Sequence, residues 1–141
     1  MSVTLGIAEL TALVSRILVA SGMSEDNAAI MSEIVVAVER DGPRSHGLFR
    51  VPGMVEILQS GWVDGRARPG VQDKAPGLLL ADAGNGFAQI ALASARNRLI
   101  EKAHDQGIAA LAIQNSHHFS ALWPDVEPLA EEGLVALAFV N

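Results

Sequence analysis

The spacing of apolar residues changes once along the chain, and that change limits what it can fold into. From Ile7 to Leu58 they recur every three to four residues; from Leu78 onward they gather in short runs that alternate with helical stretches. The first pattern gives helices with one buried stripe, the second gives strands bounded by turns. Leu10, Leu13, Val14, Ile17 and Leu18 share one face from about Ile7 to Ser21, with Gly22 as the stop. Ser24 reads as an N-cap, with Glu25 and Asp26 in the first turn, where acid suits the helix dipole. Ile30, Ile34, Val35 and Val38 carry this second helix to about Arg40, and Gly42-Pro43 ends it. A third helix follows Ser45 with Leu48, Val51, Val55 and Leu58; Pro52 inside it predicts a kink or a late start.

Gly61, Gly65, Pro69, Gly70 and Pro76 punctuate a loop with one short strand expected around Val71. Leu78–Asp82 reads as a strand, Gly84-Asn85-Gly86 as a tight turn, and Ile90–His104 as a helix closed by Gly107. Ile108–Ile113 reads as a buried strand, Asp125–Glu132 as a short helix, and Leu134–Val140 as a final buried strand. The expected class is α/β: a helical N-terminal layer over residues 1–76, then strand–helix repeats over residues 77–141. Termini normally sit in solvated segments, so a core strand stopping at Asn141 is expected to belong to something longer or to need a partner.

Ten Lys and Arg against sixteen Asp and Glu leave a net charge of −6, and no basic stripe is present for a polyanion, so nucleic acid is not an expected partner. There is no cysteine, which removes disulfides, thiolate metal sites and cysteine nucleophiles. Glu9 and Arg16 interrupt the first apolar stretch, unlike a secretory signal, and no run of about 20 apolar residues appears, so neither export nor a membrane span is expected. A cytoplasmic protein is the default reading.

Three segments could carry chemistry. In Arg44-Ser45-His46-Gly47-Leu48-Phe49-Arg50, Ser45 is a good N-cap, and His46 and Arg50 are four apart, on one helix face. An imidazole exchanges protons near neutrality, and a guanidinium beside it grips a carboxylate through two hydrogen bonds. Together they suit a small substrate protonated next to its own carboxylate; equally, Ser45 caps, His46 packs and Arg50 is solvated. Asn115-Ser116-His117-His118-Phe119-Ser120 follows the Ile108–Ile113 strand, and ligands usually bind at the C-terminal ends of strands in α/β proteins. There His117 or His118 either serves a site or simply bonds the loop. Gly84-Asn85-Gly86-Phe87-Ala88-Gln89 begins like a dinucleotide fingerprint, but Gln89 stands where the third glycine belongs. Asp82 with His46 and His117 has the residue types of a metal site, but not its spacing, and no metal is expected.

On Asp41-Gly42-Pro43-Arg44-Ser45-His46-Gly47-Leu48-Phe49-Arg50 and Asn115-Ser116-His117-His118-Phe119-Ser120-Ala121-Leu122-Trp123-Pro124-Asp125, in that order, the chain resembles the type-2 malate/L-lactate dehydrogenase family, and within it the Δ1-piperideine-2-carboxylate/Δ1-pyrroline-2-carboxylate reductases. The resemblance runs the whole length of the chain. It implies a non-Rossmann fold, a homodimer, and reduction of a cyclic imino acid to L-pipecolate or L-proline by NADPH, or by NADH. Sister enzymes of the family act on malate, lactate, sulfolactate or ureidoglycolate. By the same resemblance Ser45 and His46 form a proton relay, Arg50 binds the substrate carboxylate, and His117, His118, Phe119, Ser120 and Ala121 contact the cofactor. The family's relay also holds an aspartate beyond the region this chain covers, as does most of the cofactor-binding domain. Residues 1–76 then correspond to the helical segment of the catalytic domain, and residues 77–141 to the first α/β part leading to the cofactor domain. The expected partner is a C-terminal remainder of the same enzyme; the alternative reading is a fragment inactive without that half.

Overall fold

The computed structural model describes residues 4–141. Three α-helices come first: α1 (Ile7–Ala20), α2 (Glu25–Asp41) and α3 (Val51–Gln59), the last preceded by one 3-10 turn over Leu48–Arg50. The strands β1 (Gly70–Ala75) and β2 (Leu78–Phe87) follow, then α4 (Ala88–Gln106), β3 (Ala110–His117) and α5 (Trp123–Glu131). This is the mixed α/β architecture the sequence leads one to expect.

The sheet is mixed, in the order β1-β2-β3. β1 runs antiparallel to β2, with Gly70 opposite Asp82, and β3 runs parallel to it, with Leu78 opposite Ala110. β2 is therefore the central strand, and its Leu79, Ala81 and Ala83 are fully buried. α4 lies across this face and presents Ala91 and Ala95, small enough to let the helix approach closely, with Leu99 beyond them. The helical layer has its own core, in which Val14 and Leu18 of α1, Met31 and Val35 of α2 and Met54 of α3 converge. Fully burying such a side chain stabilises by roughly 1.5–3 kcal/mol. Phe87 and Ile90, from the β2–α4 junction, belong to the same core and tie the two layers together.

Most expected elements form, with shifted limits. Ser24 caps α2 by accepting from the Asn27 N–H. Pro52 stands in the first turn of α3, so it marks a late start rather than a kink. The short strand around Val71 is β1. Three expectations are corrected. β2 does not stop at Asp82 but continues through Gly84-Asn85-Gly86 as a bulge, the register shifting between Asp82 and Gly86. β3 starts two residues later than expected, extends to His117, and is an edge strand with alternating exposure rather than a buried one; Ile108 lies outside it, 80% exposed. Apolar composition alone cannot distinguish a strand covered on both faces from one paired on a single edge. Leu134–Val140 forms no strand: Val135, Leu137 and Phe139 are more than 80% exposed, while Ala136 rests against the cluster around Leu129. A strand exists only by pairing, and among the described residues none pairs with this segment.

Two glycines separate close packing from open space. A Cβ on Gly47 would lie 2.5 Å from the Glu39 carboxylate and 2.9 Å from the Glu39 Cα, whereas one on Gly53, inside α3, would meet nothing within 4 Å. Gly47→Ala should therefore destabilise by about 1–3 kcal/mol, and Gly53→Ala should stabilise by about 0.5–1 kcal/mol through helix propensity. Thermal unfolding of the two variants should show melting temperatures moving in opposite directions.

Candidate functional site

The first group of polar residues lies where α2 ends. The chain leaves α2 through Gly42, and Arg44–Gly47 form a tight turn held by the His46 N–H donating to the Pro43 carbonyl at 2.8 Å. The turn is docked onto α2 by Glu39, whose Oε2 accepts from the Leu48 N–H at 2.9 Å. Ser45 is not a helix N-cap, and His46 does not share a helical turn with Arg50: the α-helix begins only at Val51, because Pro52 suits its first turn and the 3-10 turn Leu48–Arg50 intervenes. The three side chains come together by another route. Ser45 Oγ lies 2.9 Å from His46 Nδ1, and Arg50 Nε donates to the Ser45 carbonyl at 2.9 Å. With the hydroxyl donating, the imidazole carries its proton on Nε2, the nitrogen left for a ligand. The bond through Nε aims the guanidinium and leaves its terminal nitrogens for a carboxylate.

The second group surrounds the C-terminal end of β3. Gly84 and Asn85 both adopt positive φ, 60° and 63°, which forms the bulge in β2. The Asn85 side chain Nδ2 donates to the Trp62 carbonyl at 2.9 Å, and its Oδ1 accepts from His117 Nε2 at 2.9 Å. The Trp62 and His117 rings meet edge to face at 6.2 Å. Next along the chain, His118 Nε2 donates to Asp125 Oδ2 of α5 at 2.8 Å. Phe119 packs edge to face on Phe87 at 6.3 Å. The Ser120 hydroxyl is buried without a hydrogen-bond partner, and Ala121 is half-buried before α5. An unpartnered buried hydroxyl next to an ordered aromatic and histidine segment is a polar group still without its hydrogen bond.

Asp82 braces this end of the sheet. Its Oδ1 accepts from the Gly84 N–H, and its Oδ2 accepts from Gln114 Nε2 and Asn115 Nδ2, at 2.9–3.0 Å. The Gly84 N–H, then Gln114 and Asn115, hold its carboxyl below the usual aspartate range. Among the described residues no three His, Asp or Glu side chains gather as metal ligands.

Each expected site residue thus lies in one of two ordered groups. No hydrogen bond or ring contact joins Ser45, His46 and Arg50 to His117–Ala121 among the described residues; Leu48, beside the first group, and Phe119, within the second, pack against the same core. Sequence reasoning assigned no role to Glu39, Trp62, Asn85 or Asp125. Asn85, inside a glycine turn, and Asp125, seven residues after His118, carried a local signal; Glu39 and Trp62 are recruited only by the fold.

A family model described as malate/L-lactate dehydrogenase matches residues 5–141. The Δ1-pyrroline-2-carboxylate/Δ1-piperideine-2-carboxylate reductase of Pseudomonas putida is 56% identical over 133 residues, which are 94% of this chain and 39% of that protein. The crystal structure of Δ1-piperideine-2-carboxylate reductase from Pseudomonas syringae pvar. tomato superposes with a TM-score of 0.92 at 51% identity, covering 94% of this chain and 40% of that one. Malate dehydrogenase from Pyrococcus horikoshii OT3 superposes with a TM-score of 0.84 at 27% identity, covering 93% of this chain and 38% of that one. The chain spans about 40% of the length of these relatives.

Because the Asp82 carboxyl is held below its ordinary value of about 4, the charged form stabilises the fold above that pH, and this contribution is lost as pH falls through the lower folded-state value. Asp82→Asn should remove that part of the acid sensitivity. Urea unfolding of both proteins between pH 2 and pH 6 should show the stability gap narrowing as the solution is acidified.

Proposed function

The chain belongs to the malate/L-lactate dehydrogenase family, and from that premise we propose that it is part of an NADPH- or NADH-dependent reductase converting Δ1-piperideine-2-carboxylate or Δ1-pyrroline-2-carboxylate to L-pipecolate or L-proline. The observation that carries the reading is the junction at Ser45, which meets His46 through its hydroxyl and Arg50 through its carbonyl. A cyclic imino acid presents a carboxylate and, one bond away, a C=N group. Arg50 would hold the carboxylate by two charge-assisted hydrogen bonds. The nicotinamide, when bound, supplies the hydride to the C=N carbon. His46 would manage the proton that the ring nitrogen takes, with Ser45 keeping the imidazole in one orientation and one tautomer. His117–Ala121 would hold the cofactor. The high identity to named reductases of this class supports the substrate class. The protein is proposed to act as a homodimer, with the further length of enzyme that the relatives possess.

A second reading has its own support in the superposition on a malate dehydrogenase: an arginine that grips a carboxylate serves a 2-hydroxy acid equally well. A substrate panel separates the two. The proposal expects turnover with the imino acids and little with malate, lactate, sulfolactate or ureidoglycolate.

His46→Ala in the active enzyme should lower kcat by about 10²–10⁴-fold, and unchanged turnover removes the assignment. Arg50→Ala should raise the KM for the imino acid by about tenfold or more, because two charge-assisted bonds are lost. The cofactor KM should stay near wild type.

A further inference from the structure

We propose that Asp125 is a positioning residue that acts through His118: by fixing the His118 ring and tautomer, it sets the path of the segment that takes the nicotinamide cofactor, an inference that rests on the reading above. Both side chains are largely buried, 13% and 12% exposed, with 2.8 Å between His118 Nε2 and Asp125 Oδ2. A carboxylate only accepts, so the proton sits on Nε2, and Nδ1 is the nitrogen left for other partners. Asp125 stands in the first turn of α5, where the helix dipole favours its negative charge, and its backbone N–H donates to the Leu122 carbonyl at 3.1 Å.

The pair is the middle of three consecutive anchors. His117 is tied to Asn85 on the β2 bulge, His118 to Asp125 on α5, and Phe119 to Phe87 at the end of β2. The next polar group, the Ser120 hydroxyl, is left without a partner. Three successive residues are held, two by β2 and the middle one by α5, so the following hydroxyl is presented from a fixed start. Of the three anchors, the middle one is the hydrogen bond to a carboxylate. Removing Asp125 would leave a buried imidazole free to turn and to change tautomer. Partners of this kind, one step behind a ligand-contacting group, typically change affinity by about 10–100-fold when removed, as measured at metal sites.

The test uses ¹⁵N-histidine NMR on this chain and steady-state kinetics on the active enzyme. In the wild type, His118 should appear as a single Nε2–H tautomer. Asp125→Asn keeps an accepting oxygen and should preserve it, while Asp125→Ala should average the two ring nitrogens of His118 and leave those of His46 unchanged. In the enzyme, Asp125→Ala should raise the cofactor KM about tenfold with kcat within threefold, and Asp125→Asn should recover most of that loss. His118→Phe, which breaks the pair from its other end, should give the same KM rise and serves if Asp125→Ala fails to fold. A His118 tautomer indifferent to Asp125→Ala, or a melting temperature that falls while the cofactor KM stays put, overturns the proposal in favour of a simple staple between β3 and α5. An enzyme that reduces no imino or 2-oxo acid with either nicotinamide overturns the proposed function instead, and the NMR arm still decides the pair.

Discussion

The docking of one turn onto the end of α2 governs the geometry around Ser45. Glu39 accepts from the Leu48 N–H, and Gly47 lies so close to Glu39 that a Cβ would collide with its backbone and carboxylate. The carboxylate does more here than an exposed surface charge would: it satisfies a backbone donor at the start of the 3-10 turn and fixes how far the turn stands from the helix. With that distance set, the Ser45 carbonyl meets Arg50 and its hydroxyl meets His46. The chemistry proposed for these side chains therefore depends on a glycine and a glutamate that would touch no substrate.

The fold was legible where a local rule decides the outcome. The apolar stripes of α1 and α2, the Ser24 cap and the Gly42 and Gly107 stops are read from neighbours within one or two turns, and all appear in place. Errors gather where the answer depends on a distant partner. Leu134–Val140 has the alternation of a strand, since Leu134, Ala136 and Ala138 are less exposed than the residues between them. Alternation states which face is apolar and says nothing about what pairs with the edge. The Gly84-Asn85-Gly86 stretch reads as a turn for the same reason. Its dihedral angles are those of a turn, but β3 pairs on both sides of it and makes it a bulge.

Legibility of the candidate site divides in the same way. Both groups of side chains were visible as motifs, because short polar runs next to apolar elements stand out. Their internal wiring was not. The four-residue spacing of His46 and Arg50 suggests a shared helix face, yet the contact runs through the Ser45 backbone, because Pro52 delays the α-helix until Val51. The adjacent histidines read alike in sequence and behave differently. His117 bonds an amide beside an exposed tryptophan, and His118 bonds a carboxylate away from solvent. Which partner each imidazole finds is decided by a bulge and by the first turn of a helix, and residue type alone carries neither.

The two groups are related through packing rather than through polar contacts. The proposed hydride transfer needs reacting atoms about 3–3.5 Å apart, and a misplacement of about 1 Å can cost about 10²-fold, so parts on separate elements need a rigid common reference. Phe87 supplies one. It is fully buried, its backbone pairs with His117, its ring supports Phe119, and it belongs to the core on which Leu48 rests. A close-packed interior transmits position well, because a displaced side chain has nowhere to go without a cost. A chain of hydrogen bonds between the two groups would add polar atoms that also need partners, and a shared aromatic core avoids that demand. On this account the helical layer and the sheet hold the Ser45 turn and the His117–Ala121 segment, for which proton handling and cofactor binding are proposed, in register because both rest on the core to which Phe87 belongs.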